Sequence, residues 1–271
     1  MEPQLDLERP AGPNGAAVLL CTGAMNPAHK GHLQMLEQAR ARLEQAGIAV
    51  LGAFASPTHD EYVLGKALKK GTVGLSGAFR MEVLRLTVAN APLVNASDWE
   101  VTNPRGFVDY PFVVAEMSEW LHGVSEARGD YVYGIYVCGS DLANTEDLWS
   151  TWPDRYWGGV VVVPRTGDVL KGEEDPSRHV FVAAPDDSTA AFSSTDLRAA
   201  IARGDSDAVE EAMSPSAARF LMRPTRAEYE RFAIDYAKLG VPDPDPPPRA
   251  PLSPEPDGTR ARKSRFRVSP A

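Results

Sequence analysis

Two histidines three residues apart, His29 and His32, and a hydroxyl run ahead of an arginine, Ser193-Ser194-Thr195-Asp196-Leu197-Arg198, are the residues of this chain best suited to chemistry on an anion. The histidines follow a glycine turn, Gly23-Ala24-Met25-Asn26-Pro27-Ala28, and open a stretch of helical spacing. At that spacing both rings leave one side of a first helical turn. The first N–H groups of a helix lack an intrahelical partner, so rings and backbone offer several donors to one spot, which suits phosphate. Neither GxxxxGK(S/T) nor GxGxxG spacing is present. The pair would also serve as half of a zinc site, although no Cys/His group completes it, or simply as exposed cap residues. The hydroxyl run reads as an N-cap cluster, with Arg198 one turn in and presenting a forked donor set. Alone, such a run is more often a plain capping sequence.

The elements that would position these residues follow from hydrophobic pattern. Ala16 to Cys21 is a short apolar run leading into Thr22-Gly23, as a buried parallel strand does. Lys30 to Gln45 has Leu33, Leu36, Ala39 and Leu43 at helical spacing, and Gly47 ends it. Further apolar strands are predicted at 48–55, 131–138, 159–163 and 179–183, with helices near 79–90 and 112–122. Strands that are apolar throughout and alternate with helices indicate a parallel sheet covered on both faces. From Ser194 to about Leu239 the pattern predicts helix in three pieces, broken at Gly204 and Pro224. Residues 1–15 read as a flexible arm, 16–239 as one domain, and 240–271 as a disordered Pro-rich tail with a basic end, Arg260 to Arg267. Ligands of an open parallel sheet bind beyond the carboxyl ends of its strands, where both candidate segments fall.

The chain has 271 residues, 43% of them hydrophobic and 24% charged, which fits one sizeable globular domain. A formal net charge of −9 argues against a nucleic-acid-binding body, which needs a basic face. No apolar run is long enough for a membrane helix, and no signal peptide opens the chain. Cys21 and Cys138, far apart in apolar strands, read as reduced, which fits a cytoplasmic setting. A homo-oligomer is compatible with the sequence.

In this order, at opposite ends of one α/β domain, His29-Lys30-Gly31-His32 and Ser193 to Arg198 resemble the HxGH and SSTxxR signatures of the nucleotidylyltransferase superfamily. Between them lie Ser56-Pro57-Thr58-His59-Asp60-Glu61-Tyr62, Ser97-Asp98-Trp99-Glu100, Val137-Cys138-Gly139-Ser140-Asp141-Leu142 and Leu148-Trp149. These are similar to the SPxxDxY, DxWE, CGxDL and LW elements of nicotinamide mononucleotide adenylyltransferases of the eukaryotic type. The similarity spans about residues 16–236. It implies a Rossmann-like α/β fold that transfers AMP from ATP to nicotinamide or nicotinate mononucleotide, giving NAD or its acid precursor and pyrophosphate.

By that resemblance His29, His32 and Arg198 serve catalysis. Gly23, Ala24, Met25, His32, Ser194, Thr195, Asp196, Leu197 and Arg198 hold ATP. Trp99 and Trp149 flank the pyridine ring beside Leu148, Gly139 and Asp141 meet ribose or adenosine, and Arg165 lines the nucleotide. Leu64 stands where the family carries a lysine, leaving Lys66, Lys69 or Lys70 for the acceptor phosphate, and Ala190 stands where an asparagine is common. His29 is itself a departure, since the eukaryotic type usually has another residue there. Magnesium is expected on ATP oxygens and water, with no protein metal ligand. The plain alternatives are core packing for the tryptophans, a helix cap for Asp141 and a surface charge for Arg165. Competing functions are a transferase for pantetheine phosphate, FMN or a cytidylyl group, and a nucleotide-binding module without catalysis.

Overall fold

The structure is a computed structural model that describes residues 4–150, 158–186 and 192–244. Six parallel strands form its sheet: β1 (Ala16–Gly23), β2 (Ala49–Pro57), β3 (Val94–Ala96), β4 (Val132–Gly139), β5 (Gly159–Val163) and β6 (Val180–Val182). Their order is β3-β2-β1-β4-β5-β6, so the chain reverses direction across the sheet between β1 and β4. Ligands bind at that reversal in doubly wound sheets, because the connections on its two sides part and leave a crevice.

Each strand is apolar because both faces are covered. Helix α1 (Lys30–Gln45) buries Leu36, Ala39 and Leu43 against one face, where α3 (Gly77–Val88) adds Met81 and Leu84. Helix α4 (Tyr110–Arg128) buries Val113, Val114, Met117 and Leu121 on the other. Two further helices are α2 (Asp60–Lys70), which follows β2, and α5 (Ser140–Thr145), which starts directly from the end of β4. The C-terminal segment forms five helices where pattern predicts three: α6 (Ser194–Arg203), α7 (Ser206–Ala212), α8 (Pro215–Met222), α9 (Arg226–Arg231) and α10 (Ala233–Leu239). Asp205 and Thr225 cap the helices that follow the two predicted breaks, and the two further breaks come at Ser214, which caps α8, and at Phe232, where α9 gives way to α10. Phe79 of α3 packs edge-on against Phe232 and Tyr236 in a third core, which fastens this helical unit to the sheet domain.

Both chain ends fold further than the sequence suggests. Residues 4–15, expected as a flexible arm, lie along the body: Asp6 N–H donates to the Leu51 carbonyl at 2.8 Å, and Leu5 packs against the second core. Val241, expected in the tail, is buried in the third core, and Asp243 pairs with Arg226 at 2.7 Å. The remaining tail, including Arg260 to Arg267, and Ala190 lie outside the described residues. Among the described residues no helix is long and apolar enough to cross a membrane.

Candidate active site

The turn after β1 runs through Ala24 and Met25 to His29, which caps α1 from an extended backbone. The cap is reciprocal. Gly31 N–H donates to His29 Nδ1 at 3.2 Å, and His29 N–H donates to His32 Nδ1 at 3.2 Å. The other neighbour of His32 Nδ1, the His29 carbonyl at 3.4 Å, already accepts the His32 N–H at 2.9 Å. A nitrogen that accepts an N–H carries no proton, so in each neutral ring the proton sits on Nε2. Burial, then His32 and Arg165, pushes His29 down to about 2, and burial with Arg165 pushes His32 down to about 4. Two neutral Nε2–H donors, with ring centroids 4.1 Å apart, therefore remain for a ligand.

Both rings line a cleft of about 350 Å³ at the sheet reversal. Gly23 closes β1 and Gly139 closes β4, on opposite sides of it. A Cβ built on either glycine would meet no atom within 4 Å, and Gly139 has an ordinary extended backbone. The protein itself does not require glycine there; a ligand lying against the backbone would. Asp141 in the first turn of α5 and Arg165 after β5 border the same space. So does Asp168, which accepts from the Ser140 hydroxyl and, at 2.8 Å, from Arg165 N–H, bonds that hold its carboxyl below the usual range.

The hydroxyl run closes the cleft from the far end of the chain. Ser193 caps α6 by accepting from Asp196 N–H at 3.1 Å, and Ser193 and Ser194 both line the space. Ser194 Oγ donates to the Pro27 carbonyl at 2.8 Å, and Arg198 Nη1 donates to the Asn26 carbonyl at 2.6 Å. Arg198 thus braces the histidine turn here, with Nη2 reaching Thr195 Oγ1 at 3.3 Å. Thr195 and Asp196 are exposed, and Leu197 is buried in the third core.

Of the residues predicted from sequence, Gly23, His29, His32, Gly139, Asp141, Arg165 and Ser194 converge on this cleft. Ala24 and Met25 form its turn, Met25 buried at a positive φ of 41°. The two tryptophans are not brought together. Trp149 is 8% exposed in the second core beside Leu148, its ring N–H donating to Asn144 Oδ1 at 3.1 Å. The core-packing alternative therefore describes its place, because the short α5 turns the chain back onto the sheet. Trp99, 38% exposed, borders a separate groove of about 340 Å³ with Phe54, Glu116 and Trp120. Lys66 is on the exposed side of α2, its ammonium 5.2 Å above the Tyr62 ring, and does not line the cleft.

Sequence reasoning missed two buried charged residues behind the cleft, Arg80 and Glu100. The Glu100 carboxyl is pushed up to about 7 by burial, although Ser56, Thr58 and Arg80 lie close enough to oppose the shift. Arg80 carried a readable signal: a basic residue one turn from Gly77 and Leu84, on the buried stripe of a helix whose other charged residues, Glu82 and Arg85, lie off that stripe.

Comparison with known proteins adds an independent line. Residues 20–200 match the family described as Cytidylyltransferase-like. A nicotinamide/nicotinic acid mononucleotide adenylyltransferase of Oryza sativa subsp. japonica is 34% identical over 174 residues, covering 62% of this chain and 67% of that one. One of the same description from Arabidopsis thaliana is 28% identical over 199 residues, covering 69% and 80%. A third, from Xenopus tropicalis, is 38% identical over 84 residues, covering 31% and 25%.

Proposed function

The chain belongs to the Cytidylyltransferase-like family, and from that premise we propose that it is an adenylyltransferase joining the AMP part of ATP to nicotinamide or nicotinate mononucleotide. The observation that carries this is the convergence of neutral His29 and His32, glycine-lined strand ends and the Ser193-Ser194 cap on one crevice at the sheet reversal. The similarity to plant adenylyltransferases of this specificity supports the choice of acceptor.

The reaction needs no protein nucleophile. The acceptor phosphate attacks the α-phosphorus of ATP in line, and pyrophosphate leaves from the opposite side. The work of the protein is placement and neutralisation of charge as it moves onto the leaving oxygens. The Nε2–H groups of His29 and His32 are donors of the right type, fixed in tautomer by the cap, so they require no reorganisation during transfer. Arg165 supplies a full positive charge at the cleft wall. Gly23 and Gly139 let the dinucleotide backbone approach, and Asp141 is placed to accept ribose hydroxyls. Trp99 is the exposed flat face available to a pyridine ring.

Magnesium would arrive on the triphosphate oxygens and lower the charge that the attacking phosphate meets. That arrangement fits the donor set, because His29 and His32 have each Nδ1 occupied by a backbone N–H and present N–H donors, which suit phosphate oxygens and not a cation.

The test is pyrophosphate release from ATP or CTP against nicotinamide mononucleotide, nicotinate mononucleotide, pantetheine phosphate and FMN. Release with ATP and a pyridine mononucleotide, with the dinucleotide recovered as product, is expected. Turnover only with CTP, or only with another acceptor, would overturn the assignment.

A further inference from the structure

Arg80 has no solvent exposure, and nothing in the transfer chemistry above uses it. Its guanidinium has four partners on three segments. Nη1 donates to the Ala24 carbonyl at 2.8 Å, Nη2 to the Thr58 carbonyl and to Asp60 Oδ1, both at 2.7 Å, and Nε to the Leu75 carbonyl at 3.2 Å. A guanidinium taken out of water is costly unless each donor is matched. One that is matched by carbonyls from separate segments fixes those segments relative to one another, because its donors lie in a rigid plane.

The contact with Ala24 reaches the site. In a trans peptide the carbonyl and the following N–H point in opposite directions. Holding the Ala24 oxygen on the guanidinium therefore turns the Met25 N–H away from Arg80. The same turn is held again nearby: the Asn26 side chain accepts Leu75 N–H at 2.9 Å and donates to the Val73 carbonyl at 2.7 Å. From the opposite flank Arg198 and Ser194 take the Asn26 and Pro27 carbonyls. Three carbonyls of the turn are thus drawn to side chains of α3 and α6, and the His29 cap follows immediately.

We infer that Arg80 is a positioning residue for phosphoryl transfer, acting through the Ala24 carbonyl to set the turn between β1 and the His29 cap. The role rests on the adenylyltransferase reading above. Lysine at this place is too short and has no fork, so it cannot hold Ala24, Thr58 and Leu75 together.

The experiment compares the full chain with Arg80→Lys, Asp60→Asn and Val83→Ala. Val83 is fully buried in the third core on the same helix and makes none of the hydrogen bonds that hold the turn, so its loss reports on stability. Urea midpoints, calorimetric ATP affinity without acceptor, and kcat and KM of the folded fraction are measured for each. Arg80→Lys is expected to lower kcat/KM for ATP about 10- to 100-fold, as a misplacement of about 1 Å does. Val83→Ala should lose stability while changing kcat/KM by no more than about threefold, well below that range. Asp60→Asn keeps all three carbonyl bonds, so it should likewise lose stability and keep its turnover. Arg80→Lys matching Val83→Ala in kcat/KM would overturn the inference, and so would Asp60→Asn falling as far as Arg80→Lys. If the unmutated chain releases no pyrophosphate from ATP with any pyridine mononucleotide, the proposed reaction fails. The calorimetric arm then decides Arg80: weaker ATP binding supports its role, and unchanged binding overturns it.

Discussion

At the scale of single residues, the cap that starts α1 is also the device that prepares its histidines. Each Nδ1 is occupied by a backbone N–H, so each ring can present only Nε2–H. Replacing His32 by alanine should leave the fold intact and lower kcat/KM at least about 100-fold, the usual loss for one transition-state donor. Near-normal turnover in that variant would remove the phosphate role. Because both rings are held far below the ordinary imidazole range, neither should gain a proton near 6.5. Glu100 and the acceptor phosphate titrate in that region too, so the check is made on the rings: His29 or His32 imidazole resonances that shift near 6.5 in an NMR titration would mean that the rings are charged in use. Glu100 has the opposite sense. Its carboxyl moves from 4.5 to about 7 on folding, so between those values the folded chain keeps a proton that the unfolded chain has shed. Stability attributable to Glu100 therefore falls as pH rises through that window, and the loss is complete above about 7. Glu100→Gln should gain on the unmutated chain by on the order of 1–3 kcal/mol at pH 8 and by little at pH 4.5. The histidines, common to both chains, cancel in that comparison. Equal urea-midpoint gaps at the two pH values would show that Glu100 does not titrate as described.

At the scale of elements, α1 and β5 have the bounds that apolar spacing predicts, because each buries a continuous stripe or run. Three elements were not legible, the six-residue α5 among them. Helix α2 presents Tyr62, Leu64 and Leu68 to solvent, which blurs its periodicity, and β3 is three half-buried residues, too short for any pattern to emerge. The site divides in the same way. His29, His32, Gly23 and Gly139 are marked by local spacing beside strand ends, whereas Arg80 holds the Ala24 and Thr58 carbonyls from more than 20 residues away, and no local pattern reports such a contact. The tryptophans show where motif and packing part company. Trp149→Ala should cost about 3–5 kcal/mol and depress both substrates alike, since it empties core volume behind Leu148. Trp99→Ala should cost far less stability and raise the acceptor KM several-fold, up to about tenfold, with ATP little affected. Melting temperatures and both KM values check the pair; a Trp99 variant that weakens ATP as much as the acceptor would end its ring-binding role.

At the scale of the molecule, the helical unit α6–α10 completes the site without adding a strand. Its first helix carries Ser194 and Arg198 to the histidine turn, and Lys30 of α1 donates back to the Glu211 carbonyl at 2.6 Å. The two sides of the cleft are therefore stable only as one body. Deleting residues 245–271 should leave kcat/KM and the melting temperature unchanged, because every residue placed at the cleft or in the three cores precedes that stretch. Deleting from Val241 should instead lower the melting temperature, because a buried side chain and the partner of Arg226 are lost with it. An inactive 1–244 protein would show that the basic end takes part in the chemistry.

The place of β1 in the sheet also bears on how the chain is made. It leaves the ribosome first among the strands yet sits in the middle, with β2 following it closely on one side and β4 arriving more than a hundred residues later on the other. Throughout that interval one edge of β1-β2-β3 is open, apolar and able to pair with a neighbouring nascent chain. Slower synthesis or closer crowding on the polysome is therefore expected to lower the share of chains that reach the native sheet.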